Sequence, residues 1–100
     1  MFNTNINGNR FDANKIQAVW NKGSIIPGKD PKIWRRDSCN ALIMRGQYGN
    51  TNSIHGWEID HIYPKKYKPN DDLSNLQPLQ WQNNRRKADN IGLWTCAVSK

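Results

Sequence analysis

The sequence predicts a small α+β fold in a single domain, and three observations carry that prediction. Apolar residues recur at helical spacing near the N-terminus, at Ile16, Val19 and Trp20. Two apolar runs, residues 41–45 and 57–62, read as strands because Gly, Asn and Pro bound them. A chain of 100 residues holds one modest core, and no stretch of it has the composition of a linker. Five tryptophans offset a hydrophobic share of only 36%, since each can bury a large apolar area.

In chain order, residues 1–11 read as a flexible N-terminal arm and residues 12–100 as the domain. Asp12 or Asn14 is suited to cap a helix ending near Lys22, with Gly23 as its stop. SIIPGKDPK is a turn-rich connection, and IWRRDSCNALIMRG offers one or two short strands, the clearer at 41–45. After the loop QYGNTNSIHG come WEIDHI, a strand, and YPKKYKPNDD, an extended loop. LSNLQPL then reads as a second strand and QWQNNRRKAD as a helix of about two to three turns, with Gly92 permitting a break. The tail LWTCAV reads as a final strand or a packed terminal segment.

A formal net charge of +7 in so small a domain predicts an anionic partner, nucleic acid first. The Asn-rich start does not resemble a signal peptide, and no apolar run approaches the ~20 residues of a membrane span. A soluble, cytoplasmic protein is therefore expected. Cys39 and Cys96 are too few for a disulfide framework or a four-thiolate zinc site. Each is expected as a reduced, partly buried thiol, with a bridge between them left open.

The stretch WEIDHIYP carries the chemistry. Trp57 and Ile59 want a core, but Asp60 and His61 are costly to bury unless something binds them. Downstream stand Asn75, in LSNLQPL, and Asn84, in QNNRRK. Hydrolysis of a phosphodiester needs a deprotonated water, relief of charge on the phosphate, and help for the leaving oxygen. A histidine can take the proton. A divalent ion held by a carboxylate can supply the other two. An asparagine can hold an imidazole in one orientation.

WEIDHIYP with DDLSNLQPLQWQNNRRKAD resembles the HNH endonuclease family, the ββα-metal or His-Me finger nucleases. The likeness is close over about a third of the chain, residues 57–89, and extends upstream through YGN and GWEIDH to about half. It implies an α+β domain built on a ββα-metal finger: an antiparallel hairpin with a long loop, then a helix. An N-terminal helix and an extra strand would pack around it. It also implies a metal-dependent endonuclease acting on nucleic acid, DNA before RNA. By the same resemblance His61 is the general base, Asn75 supports the loop and orients that base, and Lys87 faces the scissile phosphate. Asp60 and Asn84 are the metal ligands. Asn84 stands where many members carry histidine, which favours Mg²⁺, or Mn²⁺, over Zn²⁺. The paired CxxC knuckles of many members are missing, so no structural zinc is expected.

Neighbouring residues divide between this site and bland roles. Lys65, Lys66 and Lys68 are expected on the nucleic-acid backbone, and Arg85 and Arg86 split between phosphate and solvent. Asn83 competes with Asn84 for the metal, but Asn84 shares a helix face with Lys87. Glu58 is a supporting group or an ion-pair partner, His55 a loop histidine, and Trp81 a core residue. Asp60 and His61 are adjacent, so a regular strand would point them to opposite faces; the strand must twist, bulge or end there. Two rival readings remain: a binding module that keeps the fold without turnover, and a nuclease subunit active only with a partner.

Overall fold

Asp12 starts helix α1, Ala13–Trp20, by holding an extended backbone and accepting the Lys15 N–H at 2.8 Å. This computed structural model describes residues 2–100. The helix stops before Lys22 because the chain tightens: the Lys22 and Gly23 N–H groups donate to carbonyls three residues back. Val19 and Trp20 lie fully buried on its inner face.

Two strands follow, where the sequence offered one or two. β1, Trp34–Arg36, pairs antiparallel with β2, Leu42–Met44. The buried Asp37 shapes the turn between them, accepting the Cys39 and Ala41 N–H groups at 2.9 and 2.8 Å. Asn40 takes the left-handed φ of +67° that closes it.

The second hairpin pairs β3, Trp57–His61, with β4, Leu76–Gln80, in register from Trp57 opposite Gln80 to His61 opposite Leu76. Pro78 is tolerated because the sheet has only two strands, leaving the far edge of β4 without a ladder partner. Helix α2, Trp81–Lys87, follows directly, capped by the Gln80 side chain, which accepts from the Gln82 and Asn83 N–H groups. Ala88, at φ +46°, ends it well before Gly92.

All five residues of β3 are buried, because both faces of the hairpin are covered. Trp57 and Ile59 join Phe11, Val19, Trp20, Ile43 and Leu76 in the core. The rings of Trp20 and Trp57 lie 5.2 Å apart. Glu58 and Asp60 face α2 instead, through contacts to Asn84, Arg85 and Lys87. Trp34, Trp81 and Trp94 are only half-buried, so two tryptophans rather than five carry the core.

The described residues at both ends of the chain are tied down. The expected flexible arm is docked: the Asn3 Oδ1 accepts the Ile59 N–H at 2.9 Å and the Tyr48 hydroxyl at 2.8 Å, satisfying the outer edge of β3. Thr4 and Phe11 are buried. The tail forms no strand. Asn83 holds it, accepting the Ala97 and Val98 N–H groups at 2.7 and 2.8 Å and donating to the Val98 carbonyl at 2.8 Å. This lays Cys96 beside the β1–β2 turn, where it is disulfide-bonded to Cys39. The expectation of two reduced thiols is thereby corrected. Among the described residues no helix is long and apolar enough to cross a membrane.

Candidate active site

The end of β3 and the middle of α2 open onto one cleft of about 410 Å³. Asp60, His61 and Asn84 line it, with Lys65 and Lys66 from the loop and Phe2 and Asn3 from the N-terminal segment. The β3–β4 register runs unbroken through the Asp60 and His61 pair, and the strand ends at His61. Alternation is kept: Asp60 turns toward α2, while the His61 ring lies 6.0 Å from Phe11 on the core side. Both still reach the cleft, which opens at the end of the strand.

Asp60 sits in a tight polar setting. Its Oδ2 accepts from Gln77 Nε2 at 3.0 Å, and its Oδ1 lies 3.2 Å from the Lys87 ammonium. Burial pushes its carboxyl above the usual carboxylate range; Gln77, Lys87 and His61 oppose that push without cancelling it. The His61 Nε2 lies 2.8 Å from Asp71 Oδ1, and its backbone carbonyl accepts from Lys87 Nζ at 3.0 Å.

Asn84 donates its Nδ2 to Glu58 Oε1 at 3.0 Å. Glu58 is only an acceptor when ionised, which assigns the amide and directs its oxygen away from that carboxylate. Among the described residues that oxygen accepts no hydrogen bond. Arg85 also binds Glu58, at 2.9 Å, and stacks its guanidinium 4.6 Å from the Phe2 ring centroid.

Two expected roles need correction. Asn75 does not touch the imidazole: its Oδ1 accepts the Tyr63 N–H at 2.9 Å and its Nδ2 donates to the Tyr63 carbonyl at 3.1 Å. It braces the chain two residues beyond His61. Lys87 does not face the cleft either; only 1% of it is exposed, because α2 packs that side chain under β3. It is a buried clamp on Asp60 and His61.

The other basic residues scatter. Lys68 lies 5.8 Å from the Tyr63 ring centroid, and Arg86 donates to Thr95 on another side of α2. Asn83 is committed to Asp37 and the tail, which leaves Asn84 as the helix residue at the cleft. His55 packs edge-on against Trp34 with its Nδ1 3.1 Å from the Leu42 carbonyl. Sequence reasoning missed Asp71, Phe2 and Asn3. The only pointer to Asp71 was an acidic pair, Asp71 and Asp72, closing the loop after His61.

By donor type, Asp60 and Asn84 could supply oxygens to a hydrated divalent cation. Asp60 has further lone pairs beyond its two hydrogen bonds, and the Asn84 oxygen is uncommitted. Mg²⁺ takes few protein oxygens and keeps several waters. Among the described residues no cluster of three or more His, Cys, Asp or Glu has metal-binding proximity. No family profile, curated protein or solved structure matches this chain.

Proposed function

We propose that the chain is a metal-dependent endonuclease of the HNH, ββα-metal type, hydrolysing phosphodiester bonds in nucleic acid, DNA before RNA. The reading rests on one observation: the unit β3, β4, α2 brings Asp60, His61 and Asn84 to a single cleft walled by Lys65 and Lys66. A divalent cation, Mg²⁺ or Mn²⁺, held by Asp60 and Asn84 would neutralise the phosphate and stabilise the departing oxygen. His61 takes the proton of the attacking water. Lys65 and Lys66 bind the backbone phosphates flanking the scissile one, with Lys68 and Arg85 further out. Asn75 and Lys87 support His61 and Asp60 from behind, without touching substrate.

A binding module without turnover is the second reading, favoured by the Lys87 ammonium already seated on Asp60. A cytoplasmic site of action would expose the Cys39–Cys96 bond to reduction, since such bonds persist chiefly in oxidising compartments. The deciding experiment incubates supercoiled plasmid, and separately RNA, with the protein in Mg²⁺, Mn²⁺ or EDTA, beside His61→Ala. The expected result is metal-dependent nicking or cleavage that His61→Ala abolishes. Cleavage by His61→Ala at the parent rate removes the mechanism, and binding without cleavage in every metal promotes the second reading.

A further inference from the structure

We infer that Asp71 is the positioning residue of the base, forming a carboxylate–imidazole dyad with His61. The inference rests on the proposed nuclease reading and adds to it the group that sets the imidazole's tautomer. Asp71 Oδ1 lies 2.8 Å from His61 Nε2. An ionised carboxylate only accepts, so Nε2 carries the proton and the lone pair resides on Nδ1. A base needs a lone pair in a fixed direction, and a partner on the opposite nitrogen provides it.

Asp71 is itself held from two sides. The Ile6 N–H lies 3.2 Å from each of its carboxylate oxygens, and Lys15 Nζ donates to its backbone carbonyl at 3.0 Å. Lys65, which lines the cleft, feels its charge. The Phe11 ring lies 6.0 Å from the imidazole, and the His61 carbonyl is fixed by Lys87. The N-terminal segment and α1 therefore both serve the base, through a carboxylate ten residues downstream of it. This also gives the docked segment a purpose beyond covering the edge of β3. During turnover His61 gains a proton on Nδ1, and Asp71 stabilises the resulting imidazolium without itself taking the proton.

The test uses the full chain and two readouts. The protein holds two histidines, so ¹⁵N-labelled imidazoles resolve simply, with His61→Ala assigning the pair. The expected spectrum shows neutral His61 protonated at Nε2, and Asp71→Asn mixes the two tautomers. On plasmid in Mg²⁺, Asp71→Asn is expected to lower kcat about 100-fold with KM changed less than about threefold. Asp71→Glu is expected to restore part of kcat. A parent His61 protonated at Nδ1 overturns the dyad, as does an Asp71→Asn enzyme with parental kcat. A parent that shows the Nε2–H tautomer yet cleaves nothing overturns the nuclease reading instead, and the spectrum separates the two failures.

Discussion

The Lys87 ammonium lies 3.2 Å from Asp60 Oδ1, and both side chains are almost wholly withdrawn from water, at 2% and 6% exposed. Each charge would be expensive alone. Lys87 also donates to the His61 carbonyl, and Asp60 also accepts from Gln77, so both ions are hydrogen-bonded as well as paired. Lys87→Met keeps the length and strands the carboxylate. The expected loss is about 3–5 kcal/mol, read as a lower urea midpoint at neutral pH in EDTA. The deficit should shrink on acidification. Burial already holds the Asp60 carboxyl above its ordinary 3.8, so the folded protein takes up that proton at a higher pH than the unfolded chain. Protonation then removes the stranded charge. A deficit that is constant down to the acid limit would contradict the pairing.

What could be read in the sequence was local, and what could not be read was long-range. Asp12 announces α1 by its own chemistry, and WEIDH followed by LQPLQ and an Asn- and Arg-rich helix signals β3, β4 and α2 within a few residues of each other. Asp60, His61 and Asn84 were placed by that order. The roles of Asn75 and Lys87 were not, because identity at a motif position says nothing of which way a side chain packs. Asn3 reaching Ile59, Ile6 reaching Asp71, and Cys39 meeting Cys96 join residues 56, 65 and 57 positions apart. No local propensity encodes such contacts.

The Cys39–Cys96 bond closes most of the domain, including both strands of the site. Chain-entropy reasoning assigns about 4 kcal/mol to a loop of this length, and measured values commonly fall at about 2–4 kcal/mol. Reduction, or Cys39→Ser with Cys96→Ser, should lower the denaturation midpoint accordingly. Cleavage at low temperature should survive, since neither sulfur lines the cleft. An unchanged midpoint under reductant would mean the bond contributes nothing to the fold.

Gly56 sits where the loop meets both β3 and α2. Its carbonyl accepts the Trp81 N–H at 3.0 Å, and a Cβ there would stand 1.8 Å from the Asn50 carbonyl oxygen. That neighbour is backbone, so it cannot swing aside as a side chain would. Gly56→Ala must move the loop or the start of α2, and the expected destabilisation is at the upper end of about 1–3 kcal/mol. Gly46 provides the control, because a Cβ there meets nothing within 4 Å. Thermal melts of the two alanine variants should differ clearly, and equal melting points would refute the close packing.

Asn84 offers the sharpest test of the proposed cation site, because two partners would make opposite demands on it. Glu58 requires a donor, which the amide supplies at 3.0 Å, while a cation in the cleft requires an oxygen. Asn84→Asp keeps the oxygen and removes the donor, leaving two carboxylates facing each other with Arg85 as the cation paired to Glu58. In EDTA this variant should lose about 1–3 kcal/mol through the unmet acceptor and the like charge. Mg²⁺ should restore much of that, since a dication gains more from two carboxylates than from a carboxylate and an amide. The rise in melting temperature on adding Mg²⁺ is therefore expected to be larger for Asn84→Asp than for the parent. Asn84→Ala, lacking both groups, should respond least. If all three respond alike, the cation does not bind at Asn84, and the ligand set must be sought elsewhere in the cleft.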